Sequence, residues 1–268
     1  MTKQRPNYDL RRMVVIIALA AFLASLLTLF SGFGLGTLLT PVFGLFFPLH
    51  VAVALTGVVH LSNNLFKLVL LGKNAARDLV LRFGLPSVAG GFGGAQVLVG
   101  LSRMPALHVW HWGGHRFEVS FLKLCIAALM VFFVAMELVP ALAKRSFASR
   151  YLTLGGLLSG FFGGLSGHQG ALRSAFLVQA GLSKEQFVAT GVAVACLVDL
   201  TRLPVYFSRF DAAGLRQEWP VLLAATLCAF SGAYLGTKFL KKVTLGAVQA
   251  LTTAMILVIA VLLGAGVI

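Results

Sequence analysis

The chain has 268 residues, 59% of them hydrophobic and only 11% charged, with a formal net charge of +14. A mean hydropathy of +0.93 excludes a soluble globular domain, in which about a quarter of the residues are charged, and the whole of 1–268 reads as a single transmembrane domain. The surplus Lys and Arg fall in short segments beside apolar runs rather than in one patch, so they report membrane topology and not nucleic-acid binding.

A membrane-spanning helix needs roughly 20 apolar residues. On that measure the sequence predicts about eight spans, over 13–30, 50–71, 79–101, 119–142, 151–177, 187–207, 219–239 and 245–267. The expected class is an all-α membrane protein, because a lipid-exposed sheet edge cannot satisfy its backbone groups in a bilayer. Lys3, Arg5, Arg11 and Arg12 precede the first span and predict a cytoplasmic N-terminus by the positive-inside rule. Eight crossings then put Lys73, Arg77 and Arg82, Lys144, Arg145 and Arg150, and Arg209 and Arg216 inside. Lys238, Lys241 and Lys242 fall outside, against the rule, which leaves the topology of the second half and the side of the C-terminus open. Residues 1–30 have the outline of a secretory signal, but the apolar run continues into a glycine motif and is expected to stay.

That motif, 30–37, holds Gly32, Gly34 and Gly36 and leads past Thr37 into a second apolar piece, 35–47. The stretch is too long for one crossing and predicts a discontinuous or re-entrant helix, tolerated only where protein or water meets the freed backbone groups. In the next span Thr56, His60, Asn63 and Lys67 stand at i, i+4, i+7 and i+11, one stripe of a helix, with Asn64 beside it. An ionisable residue at membrane depth points to function; for Lys67, snorkelling to the headgroups is the alternative. Further on, 107–119 alternates around Gly113-Gly114 as a short hairpin does. Its His108, His111 and His115 invite a metal, but with Trp110 and Trp112 an interfacial loop is the reading adopted, and no metal or cofactor is expected.

The fifth span carries a glycine cluster with Ser159, Gly163, Ser166, Gly170 and Arg173 on one stripe and His168 and Gln169 inside the cluster. A break there would aim the amides of a following half-helix at the gap, a setting for an anion, with Arg173 as a forked donor. Helix packing by small residues is the alternative for the glycines, and a neutral hydrogen-bonding role is the alternative to proton carriage for His168. In the sixth span Asp199 and Arg202 stand at i, i+3 and are expected to pair, as part of a site or as a structural lock. Cys125, Cys196 and Cys228 lie in apolar spans without CxxC spacing and read as packing residues.

The chain therefore writes one pattern twice, a glycine-broken segment followed by a polar stripe, and predicts two homologous repeats, about 13–142 and 151–268, with a site at their interface. The steps Thr56-Gly57 and Thr190-Gly191 place Asn64 eight and Asp199 nine residues onward, one residue out of register. With these residues the chain resembles the sulfite exporter TauE/SafE family of membrane permeases over about 26–240. Gly32, Gly34 and Gly36 followed by Pro41 match the family's glycine run and proline. The second motif, Gly167-His168-Gln169-Gly170, departs from it, with Ser174 where the proline is expected. The resemblance implies carriage of sulfite, a sulfonate or another organosulfur anion across a bacterial-type inner membrane.

The combined expectation is a multi-pass secondary transporter working by alternating access and not an enzyme. Its anion is expected to be held by Arg173 and Arg202 with Asp199, oriented by Ser166, His168 and Gln169, and met from the other repeat by Thr37, Asn63, Asn64 and Lys67. No GxxxxGK[ST] phosphate loop occurs in the chain, so the drive is expected from a gradient or from the membrane potential. The potential favours exit of an anion by about 2.3 kcal/mol per charge per 100 mV, and export needs no coupling ion. The small anion and the lipid bilayer are the expected partners. Proton or ion coupling, a homodimer and parallel or inverted repeats stay open. The rival readings are a membrane-embedded enzyme built on His168 and the His60 stripe, and an anion channel.

Overall fold

The computed structural model describes residues 10–28, 34–138, 147, 149–210, 218–239 and 245–268. Residues 30–33 of the first glycine motif lie outside the described residues, as do the topology-marking Lys3, Arg5, Lys144, Arg145, Arg216, Lys241 and Lys242. Ten helices and one hairpin account for the regular structure among the described residues beyond short 3₁₀ turns. The first half of the chain supplies α1 (Leu10–Thr28), α2 (Leu35–Gly44), α3 (Leu49–Leu71), α4 (Arg77–Ser102, with a π turn over Val80–Gly84) and α5 (Phe121–Leu138). The second supplies α6 (Leu152–Ser166), α7 (Gly170–Leu177), α8 (Lys184–Arg209), α9 (Trp219–Phe239) and α10 (Leu245–Gly264).

Within the described residues, segments of α1, α3, α4, α8 and α9 are long and apolar enough to cross a bilayer, while 35–44, 121–136, 152–166 and 253–264 form shorter apolar helices. The protein is thus a helical, multi-pass integral membrane protein. The expected span over 151–177 is two helices. At 15 residues, α6 is about 22 Å long, short of a hydrocarbon core of about 30 Å. The expected span from 119 likewise starts later, at Phe121, because Val119 belongs to a strand.

Local chemistry sets these boundaries. The chain leaves α6 at Gly167, whose φ of +81° is the left-handed conformation that glycine adopts without steric cost; its N–H still reaches the Gly163 carbonyl at 2.9 Å. At α8, Ser183 forms a capping box, taking the Gln186 N–H on its hydroxyl at 3.2 Å while the Gln186 side chain accepts the Ser183 N–H at 3.1 Å. Gly113 and Gly114, both at positive φ, turn the predicted hairpin, β1 (Ala106–Trp112) against β2 (His115–Ser120). The hairpin is seated just past the end of α10, where Trp110 Nε1 donates to the Ala265 carbonyl at 2.8 Å; beside it Lys123 Nζ, from the first turn of α5, donates to that of Gly266 at 3.2 Å.

The helices pair across the two halves. The most extensive contact is α4 with α6, and α1 makes the corresponding contact with α9; α3 packs on α8 and α5 on α10; α3 meets α9 as α8 meets α4. Exchanging α1–α5 for α6–α10 in order maps each of these contacts onto another in the set. Small residues make the closest pairing. A Cβ at Gly90 or Gly94 of α4 would sit 2.0 or 1.9 Å from the carbonyl oxygen of Leu157 or Phe161, and one at Gly156, Gly160 or Gly164 of α6 within 2.1 Å of those of Phe83, Ser87 or Gly91. Backbone thus lies on backbone, the membrane solution where lipid removes any hydrophobic drive for helices to associate.

Replacing Gly160 with Ala should force α4 and α6 apart and cost about 1–3 kcal/mol, read as a lower midpoint of thermal unfolding in detergent. Gly100→Ala, in the same helix as Ser87 but with nothing within 4 Å of an added Cβ, should leave that midpoint unchanged or raise it slightly.

Candidate functional site: a buried polar cluster where the two glycine breaks meet

The stripe predicted on α3 faces protein. Thr56, His60, Asn63, Asn64 and Lys67 are all buried, and so are Asp199 and Arg202 on α8, both 0% exposed. The two helices come close because α3 has Gly57 at the crossing: a Cβ there would stand 2.9 Å from Leu203 Cδ2 and 3.3 Å from Arg202 Nη2.

Asp199 is the centre of the cluster. Arg202 Nε donates to its Oδ1 at 2.8 Å, and Nη2, 2.8 Å from the same oxygen, meets it without hydrogen-bond geometry. The second carboxylate oxygen, Oδ2, lies 2.6 Å from His60 Nδ1. A carboxylate only accepts, so this imidazole carries a proton on Nδ1. Asn64 Nδ2 lies between the two ring nitrogens, 3.1 Å from Nδ1 and 3.3 Å from Nε2; with Nδ1 protonated, only Nε2 can accept from it. Arg202 also donates from Nη1 to the Gly163 carbonyl at 3.2 Å, and Tyr206, one turn further along α8, donates from its hydroxyl to the carbonyl of Gly164. The last turn of α6, ahead of the break, is held by side chains of α8.

Lys67 does not snorkel. It is 6% exposed, and with the Asn63 amide turned so that each of its atoms meets a complementary partner, Asn63 Oδ1 accepts from Lys67 Nζ at 3.1 Å and Nδ2 donates to the Ala229 carbonyl of α9 at 3.2 Å. Ser25 of α1 completes this group beside Asn63.

The expected break over 167–169 is present and its polar residues are buried. His168 Nδ1 donates to the Ser166 carbonyl at 3.0 Å and lies 3.1 Å from the Ser166 hydroxyl, while its ring stacks on Phe133 of α5. Ser159 Oγ donates to the Gln169 carbonyl at 3.1 Å. Several atoms here have no protein partner: His168 Nε2, both side-chain polar atoms of Gln169, and Arg173 Nη1. A buried polar atom left unpaired costs roughly 1–3 kcal/mol, so such a concentration marks a place completed by something else. Arg173 is half-buried and lies along Gly191 of α8, its Nε 3.1 Å from where a Cβ would be.

The first turn of α2 touches the break after α6. A Cβ at Gly36 in the first turn of α2 would stand 3.1 Å from the Gly167 carbonyl oxygen and 3.8 Å from Thr56 Cγ2, and one at Gly167 3.4 Å from Arg202 Nη1 and 3.9 Å from Thr40 Oγ1. Thr37 is buried beside Gly36, and the Thr40 and Thr56 hydroxyls are unpartnered. The structure therefore gathers Asn64, Asp199 and Arg202 in one hydrogen-bonded group, Asn63 and Lys67 in a second, and Ser166, His168, Gln169 and Arg173 around the break. Three cations, Lys67, Arg173 and Arg202, accompany the single carboxylate Asp199. Sequence reasoning had left out the His60 bridge, Tyr206, Thr40 and Ser25. Tyr206 was within reach of it, one turn after Arg202 on the same face. Among the described residues no group of three His, Cys, Asp or Glu side chains comes together as a metal would require, and the hairpin histidines stay apart.

Asp199→Asn would leave Arg202 buried without its counter-charge, a change that costs about 3–5 kcal/mol where a buried pair is cut. A strongly lowered unfolding midpoint in detergent is expected, and the double variant Asp199→Leu with Arg202→Met should recover most of it. A single variant as stable as the parent would mean that the pair is not closed in the folded protein.

No curated protein and no solved structure matches the chain. The sequence model of the family described as sulfite exporter TauE/SafE matches residues 17–263, from the second turn of α1 to the end of α10. A match over nearly the whole length, on a helical membrane fold with a buried cationic cluster, shows that this chain belongs to the sulfite exporter TauE/SafE family of membrane transport proteins.

Proposed function

We propose that the protein is a secondary transporter that moves a small sulfur-containing anion, sulfite, a sulfonate or another organosulfur anion, outward across the inner membrane of a bacterial-type cell. It works by alternating access, with about eight crossings in two homologous repeats, 13–142 and 151–268. The observation that carries this reading is the excess of buried cationic and unpartnered polar groups where the start of α2 touches the break after α6. The exchange symmetry of the helix contacts supports the two repeats, and family membership supports the class of passenger.

In this reading Arg173 is the principal anion-binding group. Its half-buried guanidinium keeps an unpartnered Nη1, whereas Arg202 is committed to Asp199 and Gly163 and contributes field and position. The amides at the start of α7 and α2 add partial positive charge from the two sides of the contact. Gln169 supplies a donor and an acceptor, and His168 Nε2 an acceptor suited to the O–H of a singly protonated anion. Ser166 holds His168 in that tautomer. Asn63, Asn64, Lys67 and Thr37 bring the first repeat to the same place. The cluster is closed from solvent, as an occluded intermediate of alternating access is, and the membrane potential supplies the outward drive for a net negative passenger.

Arg173→Gln should fold as the parent does yet lose the thermal stabilisation by sulfite or a sulfonate, which for a one-site ligand at a hundredfold excess over its Kd is about 2.7 kcal/mol; an unchanged shift would take Arg173 out of the site. In proteoliposomes the wild type should show saturable, slow sulfite flux. Unitary conductance steps would instead identify a channel, and product formation without a gradient an enzyme.

A further inference from the structure

The cluster holds two buried histidines, and only one of them is built to take up a proton. His168 donates Nδ1 to a neutral carbonyl, and its environment contains no carboxylate partner among the described contacts; charging it would create an uncompensated cation close to Arg202. His60 already donates Nδ1 to Asp199 Oδ2 at 2.6 Å. A second proton, on Nε2, would make an imidazolium whose counter-charge is in place. That nitrogen looks toward the start of α2: it is 3.7 Å from where a Cβ at Gly34, the N-cap residue, would stand.

We propose that His60 Nε2 is the binding site of a proton that travels with the anion. The proposal rests on the anion-transport reading above. The charged surroundings of His60 are the start of α2, the cations Arg202 on α8, Lys67 on α3 and Arg173 on α7, and the carboxylate Asp199 on α8. Tyr206 on α8 stays a hydroxyl donor. Helix α2 has no titratable side chain, those of α4 (Arg77, Asp78 and Arg82) are exposed in its first two turns, and Tyr234 and Lys238 of α9 are exposed and pair with each other. An anion arriving at the α2 end brings a negative charge beside Nε2, and an opposite charge at that distance favours the protonated form. The proton comes from water on the loading side, binds the Nε2 lone pair, and leaves by the same atom when the anion departs. Asn64 must turn with it: its amide nitrogen, which donates to Nε2 in the neutral state, is replaced by its oxygen, an acceptor for the new N–H. A divalent anion and one proton together still carry one negative charge, so the potential continues to favour exit.

The test uses the full-length protein in proteoliposomes with sulfite, whose own ionisation is common to every variant. Two rates are measured between pH 5.5 and 8.5: sulfite exchange at equilibrium, and sulfite accumulation driven by an imposed proton gradient. The wild type and His50→Gln, which alters a histidine at the start of α3 away from the cluster, should accumulate sulfite in the direction of the proton gradient. In His60→Gln the ratio of driven accumulation to exchange should fall at least tenfold. Should that variant fail to fold, Asn64→Leu keeps the His60–Asp199 pair but removes the amide oxygen that accepts the proton on Nε2, and should move the pH midpoint of driven transport downward. A His60→Gln ratio equal to the wild type, loss of the ratio in His168→Gln with His60→Gln unaffected, or an unmoved midpoint in Asn64→Leu would overturn the assignment. Wild-type protein that exchanges no sulfite at any pH would overturn the sulfite reading itself, and this inference with it.

Discussion

A charge placed at membrane depth must find its counter-charge inside the protein, and here one carboxylate meets that requirement for the centre of the molecule. Asp199 takes Arg202 on one oxygen and His60 on the other, so a single group ties α8 to α3. Arg202 and Tyr206 extend the tie to the last carbonyls of α6. The network thereby fixes α3 and α8 at mid-helix, and α6 at its last turn, relative to one another. Water cannot substitute for these partners, which gives the arrangement its specificity.

The glycines act on the other half of the problem. Along α4 and α6 they remove side chains so that backbones touch, and in doing so they bring the α6 break within reach of α8. At Gly167 the left-handed turn ends α6 with its carbonyl aimed at Gly36. The start of α2 thus meets the end of α6, leaving hydroxyls, amides and a guanidinium nitrogen unpaired in the interior. In a soluble protein the same atoms would be hydrated; here they are a standing cost that only a polar occupant relieves.

The arrangement also separates two jobs that a list of polar residues runs together. Arg202 is fully buried and Arg173 half-buried, but Arg202 has its charge matched at 2.8 Å and Arg173 retains an open donor. The first gives position and field; the second is free to bind. A similar division holds for His60, with a carboxylate at hand, and His168, with only a carbonyl.

Much of this was legible from the chain alone. Hydrophobic runs announced a polytopic helical protein, the cluster at 167–170 announced a break, Gly113-Gly114 announced the hairpin, and Asp199 with Arg202 announced an ion pair, because each depends on residues a few positions apart. The helical period of Thr56, His60, Asn63 and Lys67 showed that these side chains share a face. What that face meets was not written locally. His60 and Asp199 are 139 residues apart, and Asn63 finds Ser25 on α1 and Ala229 on α9. The choice between snorkelling and burial for Lys67, between free and committed for Arg202, and the contact of α2 with the break after α6 depend on which helices pack together. Periodicity fixes the direction in which a side chain leaves its own helix, but only the packing of the bundle fixes what waits there, and in a medium without water that partner decides what the group can do.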